Sequence, residues 1–564
     1  MPTSPSASIP VRVPILLAAA GLALAAAGAF GQGDPLGEPF PAVLELADLD
    51  GRIGFRLDGA GAEDRSGRAV AFVGDVNGDG LDDLIVGADL ADGGRFDAGS
   101  AYVVLGRDAT MGFGFPAMIP LAGLDGSDGF RLDGVVRDDR CGRTVASAGD
   151  VNGDGVADIF VSAYQADPGG LSSAGSSYVV FGRDAATGGA FAAAIDLEGL
   201  DGSTGFRIDG VARWDGSGDS IARAGDVNND GIDDLVIGAS RADPSLVDTG
   251  STYVVFGRDA SLGDAFPPVM ALDELDGSNG FRLDGVGLMD LSGASVASAG
   301  DVNADGIDDV VIGAPHAFAG SLQYAGRSYV VFGRDSVSGP AFPATISLAS
   351  LNGTNGFEVI GAVDRGFSGK VVAPAGDVNN DGADDIIIGA YRTSPGGRAF
   401  AGSSYVVFGR DVTSSGAFPA VIELSGLDGR SGFRIDGATP DDRSGRAVAS
   451  AGDVNGDGIS DVIIGAPWAS PGGGAPARAR VTSCSVAMRH LAARFRPCSI
   501  SLISMGAMAC GWTASRRKTS AAVLSRARAT SMATASMTSS LEPSTPMREA
   551  ERVLVRAMSS WDEA

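Results

Sequence analysis

The sequence predicts an all-β protein, a β-propeller of blades about 75 residues long, and three observations carry that prediction. Acidic loops of one spacing begin at Asp75, Asp150, Asp226, Asp301, Asp377 and Asp453, stepping by 75 or 76 residues. Phenylalanines that open the run FPAVLEL and its copies, at Phe40, Phe115, Phe191, Phe266, Phe342 and Phe418, keep the same step. Between these markers the chain reads as short β-branched strands separated by Gly, Asp and Asn turns, with no helical periodicity. A fixed long period marks a repeat architecture, and several strands per unit arranged radially is how a propeller hides its sheet edges.

In chain order, residues 1–29 read as a secretory leader. Arg12 precedes a Leu/Ala-rich stretch from Pro14 to Ala27, and Ala27-Gly28-Ala29 offers a small-residue cleavage site. The apolar stretch is short for a bilayer span, so no stable membrane insertion is expected after cleavage, and the mature chain is expected to be secreted or held at the cell surface. Residues 30–39 form a linker and 40–474 the blades. In the second repeat the expected strands are Ala117–Leu121, Gly129–Asp133, Thr144–Ser147, Ile159–Val161 and Ser177–Phe181.

Each loop presents oxygen donors at positions 1, 3, 5 and 9, a glycine at position 6, and a backbone carbonyl at position 7, the donor spacing suited to a hard cation such as calcium. The candidate ligands are Asp75, Asn77, Asp79, Leu81 and Asp83 in the first loop and Asp150, Asn152, Asp154, Val156 and Asp158 in the second. The third and fourth offer Asp226, Asn228, Asp230, Ile232 and Asp234, then Asp301, Asn303, Asp305, Ile307 and Asp309. The last two offer Asp377, Asn379, Asp381, Ala383 and Asp385, then Asp453, Asn455, Asp457, Ile459 and Asp461. Residues 81, 156, 232, 307, 383 and 459 contribute only their carbonyls. The loop is not an EF-hand, since position 12 is Val86 rather than Glu and the exit is a strand. Position 8 varies (Asp82, Ala157, Asp233, Asp308, Asp384, Ser460) while position 9 is always Asp, which makes position 9 the better ligand. About one structural Ca2+ per loop is the expectation.

Composition excludes other functions. A net charge of -28, from 70 acidic and 42 basic residues, argues against a nucleic-acid partner. Two histidines and two lysines leave little material for acid-base chemistry near neutral pH. Cys141, Cys484, Cys498 and Cys510 have no paired spacing, and Cys141 occupies a position that is Ser in other repeats. The FRLDG runs are expected to bury Phe and Leu on one face and to pair Arg with Asp on the other. Trp214 and Trp468 break their repeats and read as local packing substitutions, with ligand contact as the other reading.

These residues resemble FG-GAP repeats, the blades of the integrin alpha-chain propeller. The likeness rests on Ser292-Gly293, the loop from Asp301 to Gly306 and the closing Gly313-Ala314-Pro315, and on Ser444-Gly445, the loop at Asp453 and Gly465-Ala466-Pro467. It covers about residues 40–470, although the closing proline is replaced at Asp89, Tyr164, Ser240 and Tyr391. The resemblance implies a non-catalytic adhesion module for an extracellular protein or glycan ligand. The alternative is a propeller-based enzyme acting on polysaccharide or lipid, or its accessory domain. The near-interchangeable copies favour binding over catalysis, and the chain is expected not to be an enzyme.

The family forms seven blades, yet six loops are legible. From about 475 to 564 the composition turns to Ala, Arg, Ser, Thr and Met. A disordered basic tail is the plain reading, but the genetic code supplies another. Reading Met532–Glu542 from the last base of each codon, Met-Ala forces GGC (Gly) and Met-Thr forces GAC (Asp), and the remainder permits GDGVDDVVVG. Ser483–Arg489 and Ala557–Asp562 permit VFGRDA and HVVLGR in that same frame. The hidden loop then begins near Ala529, one period after Asp453. A frame change near residues 473–477 thus accounts for the missing seventh blade, and the written chain is expected to form an open, aggregation-prone arc. Resequencing the locus tests this: a single-base correction that restores the repeats is expected, and none being found overturns it.

Overall fold

The computed structural model describes residues 49–108 and 114–469, with the backbone alone of the short strands Leu16–Ala18, Gly21–Ala23 and Arg480–Cys484. Apart from these short strands, the predicted leader, the linker and the predicted tail lie outside the described residues. Every described residue belongs to one compact unit, Met1–Ala507.

The repeat unit is a sheet that borrows from its successors. In the first, Ala69–Gly74, Asp83–Ala88, Ser100–Val104 and Gly129–Asp133 run antiparallel in that order, and Ala194–Asp196 adds a parallel fifth strand. The second uses Val145–Gly149, Asp158–Ala163, Ser176–Val180, Gly205–Asp209 and Val269–Ala271 in the same arrangement. The strands expected from the second copy are all present within two residues of their predicted ends, but divided among three sheets, since Met118–Pro120 pairs with Arg56–Asp58 and Gly129–Asp133 belongs to the first sheet. Third and fourth sheets follow suit, while among the described residues the fifth has four strands and the sixth three. At the other end Arg56–Asp58 pairs in parallel with Met118–Pro120, a two-stranded sheet among the described residues. Arg480–Cys484 pairs with Val462–Ala466 even though it lies within the segment expected to be tail.

Packing explains the pattern of each strand. The second strand is buried throughout, as at Asp83–Ala88 and Asp234–Ala239, which is why it reads as a continuous apolar run rather than an alternation. The innermost strand is rich in Ala, Ser and Gly because its neighbours crowd it. Ser147 Oγ donates to the Val73 carbonyl at 3.2 Å, and the Val296 and Val372 amides donate to Ser220 Oγ and Ser295 Oγ at 3.0 and 3.1 Å. Core clusters each join consecutive sheets: Phe130 and Val103 of the first pack with Ile159, Tyr178 and Phe191, and Phe160 of the second with Leu235 and Tyr253 of the third. The six loop-bearing sheets are thus stacked in series about an axis lined by the innermost strands, a propeller arrangement.

The second sequence marker proves to be an outer clip. Phe130 stacks on Phe191 at 4.2 Å, Phe206 on Phe266 at 4.0 Å and Phe281 on Phe342 at 4.3 Å. The arginine of each FGRD turn covers the second ring, as Arg183 does Phe191 at 4.1 Å and Arg334 does Phe342 at 4.0 Å. The Arg-Asp pairs of the outer strand form as expected, with Arg131 Nε to Asp133 Oδ1 at 2.6 Å and Arg207 Nε to Asp209 Oδ1 at 2.7 Å. Where the motif breaks at Glu358, charge is exchanged across the ladder, and Arg327 on the neighbouring strand supplies the cation. Single helical turns, Ala185–Gly188 and Val412–Ser415, follow two FGRD turns and are capped by Asp184 and Asp411. One turn is too short to show a periodicity, so the sequence did not announce them.

The loops require left-handed backbone at positions 4 and 6. Position 6 is Gly throughout, but position 4 holds Gly78 and Gly153 at φ 71° and 69° and Ala304 at φ 55°. An L-residue there costs ~1–2 kcal/mol, less for Asn than for Ala. Ala304→Gly is therefore expected to stabilise the chain by ~0.5–1 kcal/mol and Gly153→Ala to destabilise it comparably, measured by urea unfolding; a destabilised Ala304→Gly contradicts this conformational account.

Candidate metal centre

Each acidic loop links the innermost strand to the second, beginning at a bulge. In the first repeat the register shifts between Phe72 and Gly74, which aims Asp75 into the turn. Asp75 Oδ1 then accepts from the Asp79 amide at 3.0 Å and its Oδ2 from the Gly80 amide at 2.6 Å. Asn77 Oδ1 accepts from Asp79 N at 3.0 Å and Asp79 Oδ1 from Leu81 N at 2.9 Å. The second, third and sixth loops repeat this set, and the fourth and fifth repeat it without the asparagine contact.

Position 9 is placed differently from the rest. Asp83 is fully buried, with Oδ2 accepting from Val76 N at 2.9 Å and Oδ1 from Gly106 N at 2.7 Å. Asp158, Asp234, Asp309 and Asp385 make the same two bonds, to the position 2 amide and to the glycine of the following FG pair. Burial pushes the Asp83 carboxyl up to about 7 and that of Asp385 to about 8, against the pull of these amides and with Asp75 and Asp79, or Asp377 and Asp381, adding repulsion. Burial likewise raises Asp158, Asp234 and Asp309 well above the ordinary carboxylate range.

Position 8, dismissed as variable in the sequence, ties one loop to the next. Asp233 Oδ2 accepts from Asp150 N at 2.9 Å, Asp308 Oδ2 from Asp226 N at 3.0 Å, and Asp384 Oδ2 from Asp301 N at 3.1 Å. Where the residue is Ala157 or Ser460, only its backbone amide donates to the preceding loop, at the carbonyls of Asp75 and Asp377. FGRD turns complete the linkage: Arg183 N and Ala185 N donate to the carbonyls of Val76 and Asn77, and Arg258 N and Ala260 N to those of Val151 and Asn152. The signal for this role was available, since acid at position 8 recurs in four of six loops.

Positions 1, 3, 5 and 9 of each repeat thus share one loop, with the carboxylates of positions 1, 5 and 9 accepting from backbone amides and the asparagine oxygen doing so in four of the six loops. Among the described residues no three His, Cys, Asp or Glu side chains stand ready-made in a metal-holding cluster. The donor set nevertheless fits a hard cation. Asn303 Oδ1 and Asn379 Oδ1 are buried in their loops with no hydrogen-bond donor, and carboxylates at positions 1 and 5 press electrostatically on the one at position 9. Both features are unfavourable without positive charge in the loop.

Other expectations resolve simply. Cys141 is completely buried, and burial raises its thiol far above the ordinary range, so it packs as a small core residue. Trp214 and Trp468 are not core packing substitutions, being 65 % and 53 % exposed, although Arg443 lies 4.5 Å over the Trp468 ring. No described helix is long and apolar enough to cross a membrane.

The FG-GAP repeat model matches residues 66–104, 142–180, 217–255, 292–331, 369–407 and 444–477. Phosphatidylinositol-glycan-specific phospholipase D of Bos taurus is 31% identical over 189 residues, covering 32% of this chain and 20% of the relative. The Homo sapiens protein of the same name is 31% identical over 175 residues, covering 31% and 18%. Integrin alpha-V of Gallus gallus is 30% identical over 253 residues, covering 44% of this chain and 20% of the relative. The chain therefore spans about a fifth of the length of these relatives. The expectation that the chain is not an enzyme is overturned, because the phospholipase D relatives, which match about a third of this chain, are enzymes. Interchangeable repeats had argued against catalysis, but a repeated framework is equally at home in an enzyme. By its six matched repeats and its stacked sheets, the chain is an FG-GAP repeat protein with an integrin-alpha-like propeller fold.

Proposed function

We propose that the chain is the calcium-clamped propeller of an enzyme system acting on glycosylated phospholipids outside the cell. The observation that carries this reading is the similarity, over about a third of the chain, to phospholipases D named for phosphatidylinositol-glycan. The secretory leader read in residues 1–29 agrees with that location. A second reading, an adhesion module for an extracellular protein or glycan, draws support from integrin alpha-V, whose match extends over 44% of the chain.

In either case the loops do the same physical work. Residues at positions 1, 3, 5 and 9 and the position 7 carbonyl hold the ion, which supplies the positive charge that keeps closely spaced carboxylates ionised. With dissociation constants of ~0.1–1 mM and ~1 mM free calcium, each site contributes ~0.4–1.4 kcal/mol. Summed over the loops this is a sizeable share of the ~5–15 kcal/mol stability of a domain. The ions are structural in this account rather than regulatory.

The acid loops give stability a pH dependence whose sign follows from Asp83 and Asp385. Their folded pKa values, about 7 and about 8, exceed the ordinary 3.8, so the calcium-free fold binds extra protons between these limits. Calcium-free stability is expected to be highest near pH 4 with respect to these groups and to fall as pH rises to 8. Saturating calcium is expected to flatten or invert that slope, which melting curves at several pH values measure; a calcium-free chain whose stability rises through this window contradicts the reading. For function, the purified chain is expected to sediment with vesicles containing glycosylated phosphatidylinositol and not with phosphatidylcholine vesicles. Equal association with both overturns the lipid reading.

A further inference from the structure

The end of the axis opposite the acidic loops has its own chemistry. The residue after each Ser-Gly or Cys-Gly entry lies just before an innermost strand there: Arg68, Arg143, Asp219, Ala294, Lys370 and Arg446. Lys370 lies within electrostatic reach of Arg143, Asp219 and Arg446, which come from three other blades, and Arg68 is within reach of Arg143 and Tyr164. Residues so far apart in sequence meet only where the innermost strands converge. Four cations therefore gather at one mouth in a chain of net charge -28.

Their counter-charges are few. Asp89 faces Arg68 at 4.0 Å and Arg143 at 3.8 Å, and Asp219 accepts from Ser240 Oγ at 3.2 Å. Among the described residues the Lys370 ammonium and the Arg446 guanidinium have neither a hydrogen bond nor an ion pair. Burial, with Arg446 and Arg143 adding to it and Asp219 opposing, pushes the Lys370 ammonium below the ordinary lysine range. Two tyrosines stand at the positions where the motif's closing proline is replaced. Arg143 lies 5.3 Å over the Tyr164 ring and Arg446 5.3 Å over Tyr391.

We propose that this axial mouth binds an anionic sugar, a ring bearing a phosphate or a carboxylate. A guanidinium lying on an aromatic face keeps its N–H edge free for an oxyanion, and the partly buried ammonium adds a point charge with no competing carboxylate in contact. The half-exposed tyrosine rings offer flat apolar surface to the sugar carbons. An oxyanion here relieves the mutual repulsion of Arg143, Lys370 and Arg446, which is the driving force for binding. The site is separate from the metal loops, which lie at the far end of a six-residue strand, about 20 Å away. It does not depend on the lipid reading above, since the probes are soluble.

The test is calorimetric titration of the full chain in calcium with myo-inositol 1-phosphate, galacturonate and neutral myo-inositol. Saturable binding of at least one acid is expected and none of neutral inositol. The inositol phosphate arm reports a lipid-headgroup source and the galacturonate arm an acidic polysaccharide. Lys370→Met is expected to weaken binding at least tenfold, whereas Asp219→Asn, which removes a repelling charge, is expected to tighten it several-fold. A merely structural role moves both variants in one direction along with their melting temperatures. Failure of both acids to bind, or an affinity unchanged in both variants, overturns the proposal. Vesicle binding lost while inositol phosphate still binds contradicts the lipid reading alone.

Discussion

A buried carboxylate holds this structure together. Asp83 and its equivalents accept one amide from their own loop and one from the glycine that ends the third strand, so a single side chain fixes the loop, the second strand and the FG turn. The FG turn of one blade in turn donates to the loop carbonyls of the blade before it, as Arg183 does to Val76. Local geometry is thereby transmitted from blade to blade. A buried charge is costly even when two amides solvate it, and the raised pKa values of Asp83 and Asp385 register that cost. A cation beside the carboxylate would turn the same arrangement from a liability into a clamp.

Much of this was legible in the sequence because it is periodic. The loop spacing, the strands and the Phe markers repeat, and repetition turns weak local signals into a firm prediction of architecture. Inter-blade roles were not legible. Position 8 read as noise because its partner, the position 1 amide of the preceding loop, is a full period away, as with Asp233 and Asp150. The contact of the FGRD arginine with the FPAVLEL-type run, as Arg183 makes with Phe191, is likewise without a local signal. Trp214 was misjudged for the opposite reason: an apolar residue that breaks a repeat suggests packing, whereas here it projects into solvent.

The irregular positions are where function can reside. Strands, loops and aromatic clips recur almost unchanged from one repeat to the next. Charge exchange at Arg327 and Glu358 preserves the clip without altering it. By contrast, the residue after Ser-Gly runs through Arg, Asp, Ala and Lys, and the closing position through Asp, Tyr, Ser and Pro. The two series meet, Asp89 with Arg68 and Arg143, Ser240 with Asp219, Tyr164 with Arg143 and Tyr391 with Arg446, so variable residues gather while the constant residues build the walls.

The account's central claim is that the acidic loops are calcium sites that clamp neighbouring blades. Calorimetric titration of calcium into the chelator-stripped chain tests it most directly. Saturable uptake of about one ion per loop, accompanied by a higher melting temperature, is the predicted result. Absence of saturable uptake, or uptake that leaves the melting temperature unchanged, contradicts it.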